Sequence, residues 1–244
     1  MTLSNVNGLV FDVFGTVVDW RSGVIRAGNT LNASRGMSVD WGRIADAWRE
    51  EYQPALDRVR RGDRPWCNLD ELHRETLITI LDRSGIDGVN ERDIDYLTDA
   101  WHRLDPWPDV IPGLLRLRQK YVIAPLSNGH VRLLTNMAKR AGIPWDVILS
   151  AELAGRYKPD EAVYRTAAEL LDLEPQHVMM VAAHEGDLDA SRQAGFHTAY
   201  VHRPMEWGES PAGELTKPEV NEYDVIAEDL IDLANQLDVR ERVQ

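Results

Sequence analysis

The chain has 244 residues, 43% hydrophobic and 27% charged, enough to bury a sizeable core and too balanced for wholesale disorder. Its formal charge of −13 excludes nucleic acid as the main partner, because phosphate binding needs a basic face. A single cysteine, Cys67, excludes an intrachain disulfide framework and any multi-Cys metal site, and fits a cytoplasmic location.

The N-terminus, MTLSNVNGLVFDVFG, has no basic stretch ahead of its apolar run, so it reads as a strand rather than a signal peptide. Gly8–Phe14 is apolar except for Asp12, the pattern of a strand buried on both faces. From Asp19 to Pro108 the spacing turns helical. Trp41, Ile44, Ala45, Trp48 and Tyr52 predict one helix. Leu69, Leu72, Leu77, Ile80 and Leu81 predict a second, with Asn68 as its N-cap, and Ile94, Tyr96, Leu97 and Trp101 a third.

Beyond Pro108, strands and helices alternate. Strands are expected at 121–126, 146–149, 177–182 and 197–201. Helices are expected at 131–141, at 159–171 with Pro159 in the first turn, and at 188–194. A short strand and helix over 225–237 close the chain. This alternation predicts an α/β fold with a doubly wound parallel sheet, a Rossmann-like core built from 1–18 and 108–244. Residues 19–107 form an inserted helical module. No run approaches the ~18 apolar residues that span a bilayer, so no membrane partner is expected.

Such a sheet places its site at the carboxyl ends of its strands. Asp12, then Ser127 and Asn128, then Lys158, then His184, Glu185 and Asp187 reach that edge from four segments. Each has an ordinary explanation when taken singly. Asp12 can accept backbone N–H bonds at a strand end, Ser127 can cap a helix, Lys158 can be a surface cation, and Asp187 can face a helix dipole. Four such coincidences at successive strand ends are far less expected than one site. Chemically, Asp12 suits a nucleophile, Lys158 a partner that keeps it ionised, and Ser127 an anion-binding position.

DVFGT around Asp12, LSN at 126–128, YKPD at 157–160 and HEGDLDASRQAG at 184–195 resemble the four ordered motifs of the haloacid dehalogenase superfamily. The helical insertion falls where that superfamily places a cap. Its phosphatases generally carry a second Asp two residues after the nucleophile, where this chain has Phe14. A leaving alkoxide benefits from a proton donor there and a leaving halide does not, and Mg²⁺ needs oxygen ligands that Phe14 lacks. The chain therefore resembles the type II (L-2-haloacid) dehalogenases, which implies no metal and no cofactor. The resemblance also implies a homodimer and a small anionic haloacid as substrate.

It further implies that Asp12 attacks the carbon bearing the halogen and forms an ester that water then hydrolyses. Arg49, beside Trp48 in the insertion, and Asn128 would receive the halide. Ser127 and Lys158 would hold the substrate carboxylate, and Thr16, Phe14 and Tyr164 match further positions of the family pattern. Arg58, Arg60, Arg61 and Arg64 read as surface charges. Trp20 and Trp66 are expected pocket contacts, while the other tryptophans suit packing. The fourth motif departs from the family's Ser-Ser-Asn, with Ala182, Ala183 and His184 in its place. His184, together with Asp187, is expected to position or deprotonate the hydrolytic water, or else only to hydrogen-bond Asp12 or shape the pocket. The competing readings are a phosphatase or phosphonatase of the same fold, and a non-catalytic binding relative.

Overall fold

The computed structural model describes residues 3–208, 217–219 and 221–239. Strand β1 (Gly8–Phe11) is buried at every position, as its unbroken apolar run requires. It is shorter than the expected Gly8–Phe14. Pairing stops at Phe11, and the chain turns across the sheet edge at Asp12. Gly15 completes that turn with φ of +90°, and a side chain there would collide with the Glu206 carboxylate.

After β2 (Val18–Asp19) come α1 (Trp20–Arg35), α2 (Trp41–Glu50), α3 (Tyr52–Arg60), α4 (Leu69–Arg83) and α5 (Glu91–Thr98). Asp19, Asp40, Asn68 and Asn90 each accept backbone N–H bonds at the start of α1, α2, α4 and α5, which satisfies donors a helix otherwise leaves unpaired. The 41–52 periodicity is cut at Glu51, which ends α2 and begins α3. A 3₁₀ helix, Asp99–Arg103, extends α5. Strand β3 (Asp105–Pro106) then pairs antiparallel with β2, where the chain leaves and re-enters the sheet region.

Next come α6 (Val110–Leu117), β4 (Val122–Ser127), α7 (Val131–Ala141), β5 (Leu149–Ser150) and α8 (Glu161–Leu170). They are followed by β6 (Val178–Ala182), α9 (Glu185–Gln193), β7 (His197–Val201), β8 (Val225–Ala227) and α10 (Leu230–Gln236). The six-stranded sheet has the order β5-β4-β1-β6-β7-β8, with every pair parallel. The predicted α/β alternation is present. Two details differ. Pro159 precedes the N-cap, Asp160, instead of sitting in the first turn of α8. Helix α6 was not predicted. Its Pro112 lies in the first turn, where a missing N–H leaves nothing unpaired, so the proline does not break it.

Trp101 joins the helices to the loop after β1. Its ring meets Phe14 edge-on at 5.5 Å and Trp48 at 5.5 Å, and stacks on His73 at 4.1 Å and Trp20 at 6.1 Å. All these side chains are buried, so the site's neighbours rest on a rigid aromatic wall. Elsewhere α6 packs against α10 through Gly113. A Cβ on Gly113 would stand 2.7 Å from the Leu230 carbonyl carbon and 2.8 Å from its oxygen. Backbone atoms cannot yield cheaply, so Gly113→Ala is expected to destabilise by about 1–3 kcal/mol despite alanine's better helix propensity. Calorimetry should show a melting point lower by several degrees. An unchanged melting point would contradict the close helix contact.

Candidate active site

Five loop segments bring their polar groups to the carboxyl edge of the sheet. Asp12 follows β1, and its backbone N–H donates to Val181 O at 3.0 Å, which holds it between β1 and β6. Asn128 follows β4, Lys158 precedes α8, and His184 is the N-cap residue of α9. Glu206 lies in the segment after β7.

Lys158 Nζ donates to Asp12 Oδ1 at 2.9 Å and to Asp187 Oδ2 at 2.5 Å. Tyr164 donates its hydroxyl to Asp187 Oδ1 at 2.6 Å. The Thr16 hydroxyl donates to Asp12 Oδ2 at 2.9 Å and accepts from Ala183 N at 2.9 Å. His184 Nδ1 lies 3.0 Å from Asp12 Oδ2, and its Nε2 lies 3.1 Å from both Glu206 oxygens. Glu206 also accepts from Trp20 Nε1 at 3.0 Å. Asp12, Lys158, Thr16 and Glu206 are all buried.

These contacts decide the charges. Burial raises the Asp12 pKa, but Lys158 and His184 together hold it far below the usual carboxylate range. Burial raises that of Asp187, against the pull of Lys158. Lys158 stays charged, since the two carboxylates outweigh its desolvation. Burial works against a charged His184, yet Glu206 and Asp12 on either side lift its pKa to about 10. Glu206 is correspondingly lowered against its own burial, by His184 and then Arg49. His184 is therefore an imidazolium near neutrality, gripped at both nitrogens.

A cavity of about 330 Å³ opens over Asp12. Four groups that carry positive charge, Arg49, Arg60, Lys158 and His184, line it against two carboxylates, Asp12 and Asp187. A local excess of positive charge thus opposes the net −13 of the whole chain. Phe14 forms apolar wall where a second carboxylate would stand in the phosphatase pattern. Arg49 comes from α2, with its guanidinium carbon 4.5 Å above the Tyr52 ring and 5.6 Å from that of Trp20. Its side chain is 13% exposed, and one buried nitrogen, NH1, has no hydrogen-bond partner.

Several sequence expectations change here. His184 makes the expected contact with Asp12, but its other partner is Glu206 and not Asp187, whose oxygens are taken by Lys158 and Tyr164. Arg60, expected at the surface, lines the cavity and donates to the Lys158 carbonyl at 2.8 Å. Trp20 and Trp66, expected as pocket contacts, do not line it. Trp20 braces Glu206 from behind, and Trp66 packs on Tyr157 at 4.6 Å. Ser127 is fully buried, and its Oγ accepts from Gly129 N at 3.1 Å, so it shapes the loop that carries Asn128. Thr16 and Tyr164 also stand behind the wall. Asn128 does line the cavity, with its Oδ1 accepting from Lys158 N at 2.8 Å.

Glu206, Tyr52 and Gln53 were missed. In the sequence Tyr52 reads only as a helix-face residue. Glu206 lies outside every motif, and its one sequence trace is the Gly15 that makes room for it.

The same chain aligns with known proteins along most of its length. It is 28% identical over 218 residues to an (S)-2-haloacid dehalogenase from Pseudomonas sp. (strain YL), covering 86% of this chain and 90% of that enzyme. The crystal structure of an L-2-haloacid dehalogenase superposes with a TM-score of 0.89 at 44% identity, covering 95% of this chain and 99% of that one. That of a defluorinating L-2-haloacid dehalogenase superposes at 0.90 with 45% identity, covering 95% of each chain. Residues 6–195, which include Asp12, Arg49, Asn128, Lys158, His184 and Asp187, match the haloacid dehalogenase-like hydrolase profile, and the chain belongs to that family.

Proposed function

We propose that this protein hydrolyses short 2-haloalkanoic acids to 2-hydroxy acids through an ester on Asp12. The observation that carries the reading is the buried Asp12, kept ionised by Lys158 beneath a small cation-rich cavity whose wall has Phe14 in place of a second carboxylate. The haloacid and haloacetate dehalogenases among its relatives support the substrate class. Residues 19–107 act as the cap and the rest as the catalytic core, in a homodimer within the cytoplasm.

Asp12 displaces halide from the 2-carbon. The unpartnered Arg49 nitrogen and Asn128 receive the halide, because a buried donor without an acceptor gains most from an incoming anion. Arg60 adds positive charge for the substrate carboxylate, in place of the fully buried Ser127. Lys158 bridges Asp12 and Asp187, so one ammonium is shared between the two carboxylates. Tyr164 and Asp187 position Lys158, and Thr16 aims Asp12.

Ester formation removes the charge of Asp12, one of the two carboxylates that keep His184 protonated. The imidazolium then releases its proton to solvent, which it can reach with a side chain 31% exposed. The neutral ring takes a proton from the water that attacks the Asp12 carbonyl. Cleavage of the ester returns the Asp12 carboxylate, leaves the water's second proton with the hydroxy acid, and restores the imidazolium. Glu206 orients the ring and supports its charge.

Halide release from chloroacetate, fluoroacetate and the two 2-chloropropionate enantiomers, measured with EDTA present, tests the substrate class. Metal-free turnover of at least one is expected. Release of phosphate from a generic phosphoester only with Mg²⁺, with no halide from any haloacid, would favour the phosphatase reading instead.

A further inference from the structure

Outside the cavity, three titratable side chains from three separate segments converge. Asp70 stands in the first turn of α4, His102 in the 3₁₀ helix Asp99–Arg103, and His130 is the N-cap residue of α7. His102 Nε2 lies 2.9 and 3.0 Å from the two Asp70 oxygens, and His130 Nε2 lies 3.4 Å from Asp70 Oδ2. One donor atom from each can be chosen so that all three lie within 4.8 Å of one another. Both imidazoles are 5% exposed, whereas Asp70 is 29% exposed, so solvent reaches the cluster on its carboxylate side.

A hydrogen bond accounts for His102 and Asp70 and leaves His130 unexplained. Its Nε2 faces Asp70 at 3.4 Å without meeting hydrogen-bond geometry, and its buried Nδ1 has no partner. A buried imidazole with no hydrogen bond is uncommon. The donors of a tetrahedral ion with bonds of 2.0–2.1 Å stand about 3.3 Å apart, close to the spacings around Asp70. Two imidazoles and one carboxylate suit Zn²⁺ and its transition-metal neighbours better than Mg²⁺ or Ca²⁺, which prefer all-oxygen sites. His102 Nδ1 lies 3.0 Å from the Asn136 amide nitrogen, and a turn of that amide would set its oxygen to accept the Nδ1–H of a ligating imidazole.

We propose that Asp70, His102 and His130 form a site for a divalent transition metal, with water as the fourth ligand on the Asp70 side. The ion would tie the inserted helices, through Asp70 and His102, to the sheet core, through His130. It would act on stability and not on the chemistry at Asp12, so the proposal does not rest on the dehalogenase reading.

The test is Zn²⁺ titration of the EDTA-stripped full chain, followed by calorimetry and metal analysis after dialysis. One Zn²⁺ per chain is expected, with a melting point about 5–10 °C higher at a hundredfold excess over Kd. His130→Gln and Asp70→Asn should each weaken binding at least about tenfold and abolish the rise, while their circular dichroism and halide release stay intact. His184→Gln should bind Zn²⁺ as the wild type does, which separates this site from the cavity. Substoichiometric binding, or binding that survives in His130→Gln or disappears in His184→Gln, overturns the proposal. Should the two cluster variants not fold, Co²⁺ bound to the unaltered chain decides the matter. Strong tetrahedral visible bands support the site, and a six-coordinate aquo-like spectrum refutes it.

Discussion

Asp12→Asn is expected to lower halide release by about 10⁴-fold or more, the scale of losing a nucleophile that acts with its neighbours as a unit. The fold should survive. Lys158 keeps its bond to Asp187, and an Asn oxygen can still accept from Lys158 at the same position. Thr16 also remains anchored through Ala183 N. Near-wild-type circular dichroism with no halide from any haloacid is the expected pair of results. Turnover within tenfold of wild type would remove Asp12 from the mechanism. The same variant imitates the charge of the ester, because it neutralises position 12 without altering Glu206. The His184 pKa, followed by NMR titration, should therefore drop from about 10 in the wild type. If it does not move, the charge switch between the two half-reactions is wrong.

His184→Gln should separate those half-reactions. Displacement of halide needs only an ionised Asp12, and Lys158 alone continues to favour that form. Hydrolysis needs a base, so the ester should accumulate. One halide per chain is expected in a burst, followed by turnover slower by about 10²–10⁴-fold. Intact-protein mass spectrometry after chloroacetate should show one added carboxymethyl group, on the peptide that contains Asp12. Wild-type steady-state turnover without any adduct would refute the role of His184.

The pH behaviour follows from the same shifts. Asp12 has a folded pKa below its unperturbed 3.8, so its contribution to stability is present above that value and fades as the pH falls below it. His184 has a raised folded pKa, so its contribution is complete below its unperturbed 6.5 and is lost as the pH rises through about 10. Between those limits both are in their resting forms, and single-turnover halide release by the unaltered chain should be nearly flat with pH.

Much of this architecture was legible in advance, because backbone periodicity is local. The run of Gly8–Phe11, the helical spacing through 41–81 and the alternation after Pro108 each reflect which faces of a segment are buried. A short stretch of chain encodes that. For the same reason Asp12, Asn128, Lys158, His184 and Asp187 could be placed at strand ends, since a polar residue just past an apolar run has one edge of the sheet to occupy.

What each of those side chains touches was decided by tertiary structure. His184 and Asp187 are neighbours in one helix start, yet their side chains take different partners: Glu206 closes on the ring from the segment after β7, and Lys158 claims the carboxylate. Arg60 reads as one of several arginines near the end of α3 until Lys158 O is found beside it. Trp66 and Ser127 turn away from the cavity because Tyr157 and Gly129 offer them closer partners. Local sequence sets the periodicity of an element and hence its buried face. The direction of a loop side chain depends on distant segments, as Trp20 and Glu206 meet across 186 residues of sequence, and no local pattern carries that information.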